Sequence, residues 1–309
     1  MHPPFSVIFL TTLIGAGQGL FLALSALELG VFGTPPAARF FVVGDVIVLI
    51  LLGGGLIASF FHLGHPERAW RAVTQWRTSW LSREVIALPV FGALVAAHAL
   101  AHYLGAPSAA VIGVVAAGAS LALYYITAMN YVCIRFLREW ATPLTIVNYT
   151  LLGGASGFLL ATVLAAWGHT EAAGDLAQAT VVLTAVAAVA RILTVLRNAR
   201  LRPVSTLQTA IGVRNPRIVQ KSPGFSGSSF NTREFFHGRT RAVVRLVKWI
   251  FLVCTFPVPL ILLTLGAEGG LLPLAVVAFV VQYVGLIAER WFFFAQANHP
   301  QNLYYQVAG

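Results

Sequence analysis

Charge is scarce in this chain. Only 10% of its 309 residues are Asp, Glu, Lys or Arg, while 58% are hydrophobic. A soluble domain carries roughly 25% charged residues to cover its surface, so a water-soluble globule is excluded. Cysteine is nearly missing as well. Cys133 and Cys254 stand alone, far apart and without CxxC spacing. Such a pair cannot ligate an iron–sulfur cluster and reads as packing residues. No phosphate-binding or dinucleotide fingerprint stands between a strand and a helix, which removes nucleotide binding. The glycine runs Gly53-Gly54-Gly55 and Gly153-Gly154 lie inside apolar stretches, where small residues let helices approach closely.

What the chain does have is long apolar runs. A membrane helix needs about 20 apolar residues in a row. Eight stretches qualify, near 5–27, 40–61, 85–104, 109–132, 146–167, 177–196, 246–265 and 271–294. The expected fold is all-α, a single integral membrane domain over 1–309 with eight transmembrane helices. The first stretch has no basic leader and reads as a retained helix rather than a cleaved signal.

The few cations are unevenly placed. Of 20 Lys and Arg residues, all but Arg39 fall after the second, fourth and sixth stretches or at the matching helix ends. Loops rich in Lys and Arg face the cytoplasm, so this basic end is expected inside, with both termini beside it. Net charge +10 then meets anionic inner-leaflet lipid and soluble subunits rather than nucleic acid.

The charge-poor loops are short connectors, while the basic ones are long. Residues 62–84 carry Trp70, Val73, Trp76 and Trp80 at roughly helical spacing, with Arg68, Arg71 and Arg77 among them. That spacing predicts an amphipathic helix in the interface. Residues 198–245 form the largest polar insert, with a turn-rich run at Ser222–Ser229 and the aromatics Phe230, Phe235 and Phe236. They read as a platform for a soluble partner more than as a lipid tether. The tail 295–309 is aromatic and nearly uncharged, and is expected to pack at the same end.

Polar groups inside membrane helices require a reason. Gln18, Glu28, Asp45, His98, His102, Glu289 and Arg290 are such groups. His98 and His102 share one helix face, a poor arrangement for a haem, which takes axial ligands from opposite sides. Glu28 and Asp45 suit an outer proton path, or are simply hydrogen-bonded near the interface. The strongest constellation is His62, Arg68 and Glu84 at the basic end. A quinone needs a hydrogen-bond partner at each carbonyl and a route for two protons. A histidine titrating near neutrality and a partly desolvated glutamate supply both, and a nearby arginine holds charge. The structural alternative is a helix-ending His62 beside an Arg68–Glu84 ion pair.

The segment Ala58-Ser59-Phe60-Phe61-His62-Leu63-Gly64-His65-Pro66-Glu67-Arg68-Ala69, continued at Leu81-Ser82-Arg83-Glu84, resembles the DmsC family. These are membrane-anchor subunits of dimethyl-sulfoxide-reductase-type molybdenum enzymes. Gln18, in its Gly-Gln-Gly setting, is similar to the family's first helix. The resemblance implies a quinone site at His62, Arg68, Glu84 and Gln18, taking ubiquinone or menaquinone. It implies docking of a four-cluster iron–sulfur subunit and a molybdopterin catalytic subunit, with no haem and no metal in this chain. The chain alone would then turn over no substrate. In the exported reductases the His–Arg–Glu face points outward; here it lies at the basic end.

The segments Ala288–Phe294 and Thr232–Gly238 resemble the anchor of cytoplasmic sulfite dehydrogenase, the SoeC type. That implies a complex in a bacterial inner membrane passing electrons from sulfite to quinone. A quinol-oxidising anchor of a dimethyl-sulfoxide-reductase-like enzyme is the alternative within the family. A secondary transporter using Glu28, Asp45 and Glu289 is the alternative outside it, although no repeat relates the two halves.

Overall fold

A computed structural model describes residues 1–203, 205–219, 221 and 235–303, without the side chains of 268, 269 and 301. The run Ser222–Ser229, Phe230 and residues 304–309 of the tail lie outside the described residues. Among the described residues the secondary structure is helical throughout. Eight segments are long and apolar enough to cross a membrane, as the sequence predicts.

The first six spans are α1 (Phe5–Glu28), α2 (Ala38–Phe60), α3 (Trp80–Tyr103), α4 (Ala109–Val132), α5 (Pro143–Trp167) and α6 (Ala173–Ala199). A short surface helix α7 (Leu207–Ile211) follows in the basic insert. The seventh span is broken into α8 (Arg241–Thr255) and α9 (Pro257–Gly269), and α10 (Leu271–Ala295) is the eighth. The break is local chemistry. Pro257 has no N–H to continue the ladder, and its ring excludes the carbonyl one turn back. Phe256 between them adopts φ −116°, ψ −77°.

α1 and α5 form the centre. In their most apolar windows 67% of α1 and 56% of α5 is buried, against at most 33% for every other span. α1 packs on α2, α4, α5 and α10, while α5 packs on α1, α4, α6 and α10. Glycines set this contact. A Cβ on Gly157 would run into the Gly19 carbonyl carbon and the Leu20 nitrogen, and one on Gly19 into the Gly153 oxygen. The two backbones touch, as small residues in membrane helices allow. Within the glycine runs only some positions are needed. Gly55 is tight against Ile14, whereas a Cβ on Gly53 or Gly154 meets no described atom within 4 Å. The outer helices turn Val46, Ile50, Val182, Val186 and Leu193 outward, a lipid-facing surface.

The 62–84 segment contains an amphipathic helix, as its spacing predicts. It winds as a 3₁₀ helix over Pro66–Gln75 rather than an α-helix, with no buried residue. Without burial of an apolar face, little stabilises a longer α-helix there. Trp70 is 67% exposed and Trp76 52% exposed. In the basic insert Phe235 stacks on His299 of the tail, ring centroids 4.3 Å apart, so that aromatic packs within the chain.

Candidate functional site

α2 stops at Phe60, and His62 follows within a turn whose backbone N–H bonds the Ser59 carbonyl. Ser79 caps α3 by accepting from the Ser82 N–H. Arg83 then locks the returning loop. Its Nε donates to the Trp76 carbonyl at 2.9 Å, its Nη2 to the Arg77 carbonyl at 2.8 Å, and its guanidinium lies 4.2 Å from the Trp80 ring. This places Glu84 one turn into α3, on the side facing His62.

His62 and Glu84 line one cavity of ≈ 510 Å³. Thr11 from α1, Trp80 from α3, and Asn130 and Tyr131 from α4 complete its wall. The volume lies within the range of small-molecule sites, and the wall mixes apolar surface with a few convergent polar groups. Glu84 is fixed by two donors on α4. Thr127 Oγ1 donates to Oε1 at 2.7 Å, and Asn130 Nδ2 donates to Oε2. His62 is exposed at the mouth, and its partial burial lowers its pKa below the ordinary 6.5.

Arg68 is elsewhere. It lies on the exposed 3₁₀ segment, its Nε 3.6 Å from Glu67 Oε1, and it is not among the residues lining the cavity. The Arg68–Glu84 ion pair considered from the sequence is not formed. Gln18 serves a different place. Its Nε2 donates to the Ser120 carbonyl at 2.8 Å, and Ser120 Oγ returns a bond to the Gln18 carbonyl at 3.3 Å, clamping α1 to α4. Gln18 borders a second cavity of ≈ 20 Å³ together with Glu84, Thr127, Tyr149, Ser156 and Arg290. One water needs roughly 10–15 Å³ and two or more polar partners, and this space offers both. Glu84 therefore borders the open cavity on one side and a water-sized polar cavity on the other.

Several functional residues escaped the sequence reading. Thr127 and Asn130 are ordinary helix residues until α4 is seen to face Glu84; their three-residue spacing on one face was the available signal. Behind them is a buried ionic group. Arg191, about two turns inside the basic end of α6, lies 2.7 Å from Glu289, which also contacts Arg290 at 3.4 Å. The Arg290 guanidinium lies 3.7 Å from the Tyr149 ring. At the opposite end, Glu28, Asp45, His98 and His102 form one cluster rather than separate interfacial groups.

Known proteins share this plan along its whole length. Residues 1–296 match the family described as DMSO reductase anchor subunit (DmsC). A sulfite dehydrogenase subunit from Allochromatium vinosum, the one designated C, is 50% identical over 322 residues, covering 99% of this chain and 99% of that protein. The match spans all eight membrane helices and the two cavities that Glu84 borders, and the chain accordingly belongs to the DmsC family, the membrane-anchor subunits of molybdopterin oxidoreductases.

Proposed function

We propose that this chain is the quinone-reactive anchor of a sulfite-oxidising molybdenum complex whose catalytic subunits dock on the basic, cytoplasmic end. The observation that carries the reading is the shared cavity of His62 and Glu84. It is supported by the 50% identity to a sulfite dehydrogenase subunit. The positive-inside bias favours the cytoplasmic orientation, in a bacterial inner membrane.

A bound quinone supplies uptake of two electrons and two protons. The residues then divide the work. His62, its pKa lowered by partial burial, hydrogen-bonds one carbonyl at the cavity mouth. Glu84 offers the other contact and moves protons, because Thr127 and Asn130 hold its two oxygens in fixed directions. The water-sized cavity behind it, bordered by Gln18 and Arg290, has room for one water that would exchange protons with Glu84. Tyr131 and Trp80 supply apolar wall. Arg68, exposed beside Glu67, serves the docked iron–sulfur subunit rather than the ring. The basic loop 198–245 is the larger part of the docking surface.

The test uses membranes containing the whole complex. Glu84→Gln and His62→Gln are each expected to lower sulfite-dependent reduction of a quinone analogue by about 10²-fold, the scale of a general acid–base group. Sulfite oxidation with a soluble dye accepting electrons from the docked subunits should persist. Full quinone reduction in either variant would overturn the site. Absence of sulfite oxidation with any acceptor would overturn the substrate.

A further inference from the structure

The charge-poor end of the bundle holds a cluster that quinone chemistry at the basic end does not use. Glu28 closes α1, Asp45 lies on α2, and His98 and His102 are one turn apart on α3. His98 Nδ1 lies 2.7 Å from Asp45 Oδ2, and its Nε2 lies 3.0 Å from Glu28 Oε2. His102 Nε2 lies 3.0 Å from Glu28 Oε1, yet off the line of a hydrogen bond. Asp45 Oδ1 is also buried with no hydrogen-bond partner among the described residues. Buried polar atoms left unpaired are uncommon and point to a missing partner.

We propose that Glu28, His98 and His102 bind one divalent transition-metal ion, with zinc the best match, in the charge-poor end of the helix bundle. One ligand atom from each residue lies within 4.8 Å of the others. Ligands around tetrahedral zinc at 2.0–2.2 Å are about 3.4 Å apart, so small side-chain rotations suffice. Two imidazoles and a carboxylate are a zinc donor set, and water takes the fourth position. Asp45 then has a defined part. A metal-bound histidine usually gives its other ring nitrogen to a carboxylate, which sets tautomer and orientation, and Asp45 does this for His98. Phe41 stacks on the His102 ring at 4.5 Å and 13°, holding it in plane.

Space and charge agree with this assignment. α4 passes the cluster with a glycine, where a Cβ on Gly113 would come within 2.5 Å of Glu28 Oε2 and 3.2 Å of His98 Nε2. Two carboxylates in an apolar setting need two positive charges. Two imidazolium rings could supply them. A divalent ion supplies them as well and leaves both imidazoles neutral and free to ligate. Access is present, since the side chains of Glu28 and His102 are 9% and 11% exposed while His98 and Asp45 are closed off.

The site is independent of the quinone reading and, once shown to bind, would replace the expectation that the chain holds no metal. It is tested on the intact complex in detergent, stripped with a chelator, desalted and titrated with Zn²⁺ or Co²⁺ alone. Expected are one Zn²⁺ per anchor chain by elemental analysis and visible Co²⁺ bands of tetrahedral intensity. His102→Gln should weaken binding at least about 10-fold, and Asp45→Asn by about 10–100-fold with stoichiometry kept. His169→Ala, on a surface turn, should change neither. If Asp45→Asn does not assemble, the partly exposed His102 still carries the test. No zinc bound, or zinc bound equally by the His102→Gln complex, would overturn the site.

Discussion

Arg191 Nε lies 2.7 Å from Oε1 of Glu289, with both side chains 1% exposed, tying α6 to α10 inside the bundle. Glu289 also faces Arg290, so two guanidinium groups share one carboxylate among the described residues. The group is braced by rings, Tyr149 against Arg290 and Phe251 against Arg191. Removing one partner of a buried pair costs about 3–5 kcal/mol, because the remaining charge stays desolvated. Glu289→Ala strands two cations and should fall in that range. Arg191→Met leaves Arg290 paired with Glu289 and should be much milder. Thermal unfolding of the detergent-solubilised chain reads the difference; equal losses would show that the group does not act as one network.

The contact between α1 and α5 predicts a steric failure. A Cβ at Gly157 would meet backbone atoms of Gly19 and Leu20 far inside van der Waals contact, and no rotamer can relieve a clash with backbone. The helices must separate, which loosens the two most buried spans. Gly157→Ala is expected to destabilise by at least about 1–3 kcal/mol, the usual scale of overpacking. Gly154→Ala, one turn away and facing no described atom within 4 Å, should leave the melting temperature unchanged. Comparing the two in the same detergent checks the claim without reference to activity.

How much of this was legible in the sequence follows from what each residue's signal depends on. The spans rest on runs of apolar residues, a property of the chain alone, and they are recovered almost end to end. Pro257 was visible, but its effect on the seventh span depends on whether the bundle tolerates a break. His62 and Glu84 come together because Arg83 and Ser79 fix the return of one loop, and both are local features. Arg68 sits in that loop too, and its sequence position suggested the same cavity. The 3₁₀ winding turns it to Glu67 instead. Thr127, Asn130 and Arg191 gain meaning from helices far away in sequence; the three-residue spacing of Thr127 and Asn130 puts them on one face but does not say that Glu84 lies opposite.

His62 gives a pH dependence with a definite sign. Burial lowers its pKa below 6.5, so the folded protein keeps the ring neutral where an unfolded chain has begun to protonate it. Acid therefore favours the unfolded state through this group, and its stability penalty grows as pH falls below 6.5. On the proposed reading, the neutral ring is the working form for quinone reduction. The rate should decline on acidification as the imidazole charges, at a lower pH than a free imidazole would give. Glu84, Tyr131 and Cys133 are the other titratable groups lining the cavity. The decline should disappear in His62→Gln, leaving a lower and flatter profile. A decline of the same shape in that variant would assign it to another group.

Cys133 allows orientation and cavity to be tested together. It caps α4 at the basic end, is exposed, and lines the cavity with His62 and Glu84. Cys254 lies within α8 and is less exposed, so a membrane-impermeant maleimide discriminates between them. In vesicles washed free of peripheral subunits, the proposed cytoplasmic orientation of the basic end predicts that label enters only inverted vesicles. The adduct then stands in the cavity mouth and should block quinone reduction after the soluble subunits are rebound. Cys133→Ser should abolish both the labelling and the block. Labelling from the outer face of sealed right-side-out vesicles would reverse the orientation and restore an outward-facing arrangement of the complex. Labelling from the inside without loss of quinone reduction would keep the orientation but move the quinone away from His62 and Glu84.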